Sequence, residues 1–314
     1  MKVMIYVMLS LWGANIYAEI SNDACLAIRN GAVGKYTYRV VDDEGRAVSN
    51  AQAHVWFRSY GRPQDNADWI AKTDMNGMFT VEHRFNEKFS VGFDKKGYYH
   101  SHDEINYLAM PVLPVKDGKW QPYGELRTVV LKRICNPIEL SSSDGLSYYK
   151  YPPLGKWSGF DLCMRDWVGP DGNGKFPDVQ IRIDRIATPE GYVKTMDVAF
   201  TNNPYAGAYE IHVDSWSDLP AVYSADTNAT YSGMLRYTFK REKGVNDRKE
   251  LKEGKCLVFR TRTKCDKKGG LSSAHYGIIF GNWRFCEKGG MAIERIVFNP
   301  NPNDPNLEEA KLVR

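Results

Sequence analysis

The strongest constraint on how this chain can fold is the stretch at residues 72–79, Lys-Thr-Asp-Met-Asn-Gly-Met-Phe. Asp74 and Asn76 carry short polar side chains that fold back onto the backbone, and Gly77 is free to take the positive φ that a reversal needs. Apolar alternation restarts at Phe79. The segment is therefore a turn between strands, and the sequence around it must supply strands for it to join.

Residues 35–41 alternate aromatic and β-branched side chains before a turn at Asp42-Asp43-Glu44-Gly45. Val48, Ala51, Ala53, Val55 and Phe57 then offer one buried face and leave Gln52, His54 and Arg58 to solvent, so the lone His54 reads as a surface residue. Residues 69–71, 79–85, 89–93 and 126–134 provide further short strands between Asn, Gly, Asp and Lys clusters. That spacing is the pattern of a β-sandwich.

Val41-Asp42-x-x-Gly45-x-x-Val48-x-x-Ala51-x-x-x-Val55, then Thr73-Asp74-x-Asn76-Gly77-x-Phe79, Lys96-Gly97-Tyr98 and a closing Val129-Val130-Leu131 resemble the carboxypeptidase regulatory-like domain. The resemblance covers residues 34–133. It implies a transthyretin-like or immunoglobulin-like sandwich, usually non-catalytic and placed beside other exported domains. The chain lacks His-Glu-x-x-His and the His-x-x-Glu of a carboxypeptidase zinc site, so the module stands without the enzyme its name suggests.

The sequence departs from the family pattern at residues 100–123, before the last strand. There His100, His102 and Glu104 fall on one side of an extended segment and form a candidate trio of metal ligands. An ordinary polar loop is the competing reading. Pro111, Pro114, Gly118, Trp120 and Pro122 suggest an ordered loop with partly exposed aromatics.

The chain opens with Met1-Lys2, an apolar run at residues 3–12 and Ala18 before Glu19, the pattern of a secretory signal peptide over residues 1–18. The run is shorter than the roughly 20 residues that span a bilayer. Export, to the periplasm or beyond, is the expectation, with no transmembrane segment left after cleavage. The chain holds 42 basic and 38 acidic side chains, and loss of Lys2 with the leader leaves a net +3. The densest basic run, Lys240-Arg241-Glu242-Lys243, is interrupted by acid, so no nucleic-acid partner is expected.

All six cysteines follow the leader, and an even number in an oxidising compartment favours disulfides. If residues 256–265 are one strand, its ends lie roughly 30 Å apart at ~3.3 Å per residue, beyond the ~7 Å Cα limit of a bridge. Cys256–Cys286 across a hairpin base, Cys163–Cys265 and Cys25–Cys135 remain as candidate pairs.

Cys135-Asn136-Pro137 ends the first domain, residues 19–135, because proline lacks the amide that further pairing needs. Residues 141–145 and 148–153 read as a linker into a second domain, residues 136–314. There Val179, Ile181 and Ile183 alternate with Gln180, Arg182 and Asp184, and about seven further strands make a second, jelly-roll-like sandwich. Only residues 306–313 look helical. Phe160-Asp-Leu-Cys-x-x-Asp-Trp-Val, His275-Tyr276-Gly277-x-Ile279-x-Gly281 and Asn299-Pro-x-Pro-x-Asp-x-Asn-Leu307 resemble a domain of exported bacterial proteins with no known activity.

Three constellations bear on chemistry. Glu210, His212 and Asp214 share one strand face, which reads first as the wet face of a sheet. Asp171-Gly-Asn173 reads as a turn, since the ligand series of a calcium loop is incomplete. Ser272 near His275 has no nucleophile elbow. The chain therefore reads as a non-catalytic exported binding or structural protein without a cofactor, with a protein or glycan partner at the cell surface. The alternative is a glycan-binding or glycan-hydrolysing protein, with Asp166, Asp178 or Glu210 as acids in the hydrolytic case. Eight tryptophans and 19 tyrosines supply stacking faces, of which Trp120, Tyr148 and Tyr151 are the candidates for a glycan surface.

Overall fold

The computed structural model describes residues 21–313, except 144, 151, 202–203, 215, 250–253, 282 and 287–289. The proposed leader and Tyr151 lie outside the described residues. The architecture is all-β, built from two sandwiches.

A short helix, α1 (Asn22–Asn30), precedes the first sandwich. Its N-cap Ser21 accepts a hydrogen bond from the Ala24 amide through its hydroxyl oxygen, and Gly31 ends it at positive φ. Sequence periodicity gave no sign of this helix because it buries only Ala24 and Ala27. The predicted C-terminal helix reduces to a single 3-10 turn at Ala310–Leu312.

The first sandwich contains β1 (Ala32–Asp42), β2 (Gln52–Arg58), β3 (Ala67–Lys72), β4 (Met78–Phe85), β5 (Lys88–Asp94), β6 (Ser101–Asn106), β7 (Val115–Lys116), β8 (Lys119–Trp120) and β9 (Leu126–Leu131). One sheet runs β3-β2-β5-β6. The other runs β4-β1-β8-β7, and β9 joins it by pairing in parallel with β1. Tyr36, Tyr38, Phe57, Phe85, Phe89 and Phe93 fill the space between them, with Tyr36 stacked on Phe89 at 3.9 Å.

The turn at residues 72–79 carries the chain from β3 in one sheet to β4 in the other. Asp74 Oδ1 accepts from the amides of Asn76 and Met78, both at 2.8 Å. Gly77 has φ 73°, and a Cβ there would lie 2.4 Å from the Val40 carbonyl oxygen, so glycine is required on two grounds.

The 100–123 insertion is not a loop of exposed aromatics. Its first part forms β6, and Trp120 on β8 is buried: it stacks on Tyr107 at 4.3 Å and donates from its indole nitrogen to the Phe85 carbonyl at 3.0 Å. Trp120 therefore closes the core and is removed as a binding residue.

The second sandwich contains β10 (Ser141–Ser142), β11 (Ser147–Tyr149), β12 (Trp157–Asp161), β13 (Asp166–Trp167), β14 (Val179–Thr188), β15 (Gly191–Phe200), β16 (Gly207–His212), β17 (Met234–Glu242), β18 (Val245–Lys249), β19 (Lys255–Cys265), β20 (Leu271–Phe280), β21 (Arg284–Phe285), β22 (Met291–Ile293) and β23 (Arg295–Phe298). A sheet ordered β13-β12-β14-β15-β17-β18 faces one ordered β10-β23-β20-β19-β16, with the small β11-β22-β21 sheet beside them. Phe160, Ile181, Val198, Phe259 and Phe298 form part of the core they share. The segment read as a linker supplies β10 and β11, because its backbone pairs with β23 and β22.

Arg262 on β19 ties the facing sheets at one end. Its guanidinium donates to Asp178 at 2.9 and 3.0 Å and to Asp161 at 3.0 Å, and it lies over the rings of Phe176 and Phe298. Burial alone would raise the Asp161 carboxyl, yet the amides of Met164, Phe176 and Lys175, with Arg262, hold it below the ordinary carboxylate range.

The six thiols are all free. Cys25 sits on α1 before the start of β1, whereas Cys135 follows the far end of β9, which runs parallel to β1; the two mark opposite ends of the sandwich. Cys256 lies opposite Phe280, not Cys286, because a tight turn at residues 266–270 sets the β19–β20 register. In that turn the Asp266 carboxylate accepts from the amides of Lys268 and Gly270. Cys265, beside the same turn, is exposed and unpaired with Cys163.

The sandwiches meet along a polar seam. Glu308, buried, accepts from the amides of Cys135 at 2.7 Å and Asn136 at 2.6 Å and from the Tyr99 hydroxyl at 3.0 Å. Lys132 donates to the carbonyls of Leu219 and Ala221, and burial holds its ammonium below the ordinary lysine range.

Replacing Arg262 with leucine leaves two buried carboxylates facing one another and should cost about 3–5 kcal/mol in urea unfolding. Acid sensitivity should follow from the groups whose folded pKa is depressed. Burial holds His275 below its ordinary 6.5, and Asp161 and Asp197 lie below their ordinary 3.8. In each case the unfolded chain takes up the proton first, so stability present at neutral pH should fall as pH drops below about 6.5 and again below about 3.8. Thermal melts across that range check the order.

Candidate functional site

The strand β6 alternates sharply. Ser101 and Asp103 point into the first sandwich: Ser101 donates to the Val130 carbonyl, and Asp103 accepts from the Tyr38 hydroxyl at 2.7 Å and pairs with Arg127. His102 and Glu104 therefore face outward, as the sequence expectation for His100, His102 and Glu104 required.

The sheet then adds residues that sequence reading had left apart. His54 on β2 lies opposite Gly92 on β5, and Gly92 lies opposite His102 on β6. His100, just before β6, places Nδ1 2.8 Å from the Asp94 carboxylate, and His54 Nε2 is 3.6 Å from the other Asp94 oxygen. A carboxylate at neutral pH only accepts, so His100 carries its proton on Nδ1. The His100 and His102 rings lie nearly parallel with centroids 6.1 Å apart, and His54 and Trp56 do the same at 5.9 Å. Three of the six histidines thus meet one tryptophan and one aspartate on a single open sheet face.

Gly92 makes this arrangement possible. A Cβ at that position would stand 2.6 Å from Cε1 of His100, so the imidazole occupies the volume a side chain would take. The backbone on either side of Ser101 is fixed by the second sandwich. The His102 amide donates to the Trp216 carbonyl at 2.6 Å, and the Asp218 amide donates to the His100 carbonyl at 2.8 Å. Trp216 packs against the first core and lies under the Arg127 guanidinium.

The proposed metal trio is not assembled. Glu104 pairs with Lys88 on neighbouring β5 at 2.5 Å while His100 faces Asp94, and among the described residues no three His, Cys, Asp or Glu side chains form a metal-holding group. Tyr148 is 71% exposed on β11, whereas Trp120 is buried and takes no part in an exposed aromatic row. Sequence reading missed Trp56, Gly92 and Asp94 and set His54 aside as a lone surface residue. Which strands are neighbours, and so which of their outward residues meet, is visible only in the sheet.

The acids of the hydrolytic alternative have other partners. Asp178 binds Arg262 and Thr261, Asp166 accepts from the amides of Trp167 and Asn173, and Glu210 pairs with Lys255 at 2.6 Å. Glu210 and His212 occupy the exposed face of β16. His275 stacks on Phe298 and bonds the Asn299 carbonyl, whereas Ser272 donates to the Lys264 carbonyl.

Neither a family model nor a curated protein matches the chain. Among solved structures, 3-chlorocatechol 1,2-dioxygenase from Rhodococcus opacus 1CP is similar at 13% identity and a TM-score of 0.27, over 33% of this chain and 61% of that one. Catechol 1,2-dioxygenase from Acinetobacter radioresistens is similar at 11% identity and a TM-score of 0.26, over 35% and 55%. This chain spans less than two thirds of either enzyme, and a likeness of this size carries no functional argument.

Gly92→Ala should push the His100 ring off Asp94. The obstacle is the end of a side chain, so the ring yields and stability should change by no more than about 1 kcal/mol. Imidazole resonances in heteronuclear spectra report the displacement; an unmoved His100 signal would show that the glycine does not hold the cluster together.

Proposed function

We propose that this is a non-catalytic exported binding protein whose ligand surface is the outward face of the β2–β5–β6 sheet. The observation that carries the reading is the convergence of His54, His100, His102 and Trp56 around Asp94 and Gly92 on an open face. Each ring sits on a rigid strand or just beside one, and the backbone beneath His100 and His102 is held from both sandwiches, so the surface is preorganised. The leader-like opening and the resemblance of residues 34–133 to carboxypeptidase regulatory-like domains favour an exported module, working at the cell surface or in the periplasm on a protein or glycan.

Within this reading a glycan is favoured over a protein partner by the half-buried Trp56, whose ring offers a stacking face beside polar imidazoles. The hydrolytic alternative is weakened by the partners of Asp178 and Glu210, which are already paired with Arg262 and Lys255.

A glycan array probed with the mature protein, with hydrolysis followed in the same samples, tests the proposal. Binding without turnover is expected, and Trp56→Ala should weaken it by about 1–2 kcal/mol, or roughly tenfold. Turnover of any bound glycan would overturn the non-catalytic assignment.

A further inference from the structure

We infer that the open edge of β3 pairs with the same edge of a second copy of this chain, so that the two β3-β2-β5-β6 sheets join into one about a two-fold axis at Ile70. The inference concerns a strand edge, not the outer face of β2, β5 and β6, and stands whether or not that face binds a ligand.

β3 is the end strand of its sheet and pairs on one side with β2. At the opposite end of the sheet, the second sandwich bonds the backbone of His100 and His102 and covers the β6 edge. The direction of the β3 peptide groups follows from Thr73, which donates its amide to the Ala51 carbonyl and accepts at its own carbonyl from the Asn50 amide. Thr73 therefore turns its backbone groups toward β2. These groups alternate along a strand, so those of Ala71, Trp69 and Ala67 turn toward β2 as well, and those of Lys72, Ile70 and Asp68 turn outward. Among the described residues these outward amides and carbonyls have no hydrogen-bond partner. Such an edge is a template for one more strand.

The side chains select both the occupant and the register. Asp68, Ile70 and Lys72 share one face of β3, and all three are exposed. Asp68 is held only loosely, 3.7 Å from Arg58. In an antiparallel copy, residues with outward backbone groups must oppose one another. When Ile70 faces Ile70 of the second copy, Asp68 faces Lys72 at both ends, and on the other face Trp69 meets Ala71, a large ring against a small side chain. Opposite charges set across from one another favour pairing and like charges oppose it. Sliding the copies by two residues leaves Asp68 or Lys72 opposite Ile70, and sliding by four sets Asp68 on Asp68 or Lys72 on Lys72. Charges on an edge strand commonly keep other strands away, which requires repulsion in every register. Opposite charges placed evenly about an apolar centre attract in one.

The contact is small. A six-residue edge buries less than the roughly 800 Å² per partner of a standard interface, so the dimer is reversible, with a Kd of about 10–100 µM. The two-fold contact uses the same patch on both copies and closes at two. It also joins the outer faces. His54 lies opposite Ile70, so His54, Ile70 and their two counterparts form one line across the seam. At ~4.8 Å per strand the two His54 positions stand roughly 14 Å apart on one continuous surface.

The test is analytical ultracentrifugation of the mature full chain from about 1 to about 300 µM, where a reversible monomer–dimer equilibrium should appear. Asp68→Lys and Lys72→Asp each set like charges together at both ends, and each variant alone should self-associate at least about tenfold more weakly. An equimolar mixture of the two should dimerise as the unaltered chain does, because both ends then pair opposite charges. Ile70→Lys places two ammonium groups on the axis and should weaken the dimer without touching the β2 pairing, so it carries the test if a charge variant does not fold. Circular dichroism verifies the fold of each. An unaltered chain that stays monomeric at about 300 µM would overturn the proposal. A dimer indifferent to these substitutions, or folded charge variants that do not associate when mixed, would overturn the edge and its register.

Discussion

Glu308 lies near the end of the described chain yet governs the geometry of its middle. Its two oxygens satisfy the amides of Cys135 and Asn136, where one sandwich hands over to the other, and the hydroxyl of Tyr99, which directly precedes His100. A buried carboxylate without partners is costly, so it holds all three groups near one point. The strap at Trp216–Asp218 then meets the edge of β6 in register, and the imidazoles on the outer face inherit a backbone fixed from two directions. The polar groups of the seam do the positioning, and the aromatic cores on either side supply the stiffness that makes positioning meaningful.

The same economy explains what the acids of the second sandwich are for. Asp161 accepts four backbone amides from two loops, and Asp178 accepts a backbone amide, a hydroxyl and the Arg262 guanidinium. Acids so fully bonded shape loops. An acid that exchanges protons with a substrate needs a free lone pair and access, and Asp161 and Asp178 have neither.

The fold class was legible because its causes are local. Alternation of Val179, Ile181 and Ile183, and the Asp-x-Asn-Gly chemistry at residues 74–77, follow from side-chain direction and backbone freedom alone. What was hidden depended on choices the chain makes at a distance. The turn at Asp266 shortened a hairpin and moved Cys256 away from Cys286. Trp120 looked like a loop aromatic until β8 was seen lying against β1. The candidate site was half legible: the strand after Tyr99 put His102 outward, but His54 lies far back in the sequence and meets it only because β5 runs between them.

The parallel union of β1 and β9 has a mechanical meaning. Six successive residue pairs, from Thr37 and Leu126 to Asp42 and Leu131, join the strand that enters the first sandwich to the strand that leaves it. Tension applied through the two ends of that module pulls β1 backward and β9 forward, so the rungs between them are loaded together in shear instead of being peeled one by one.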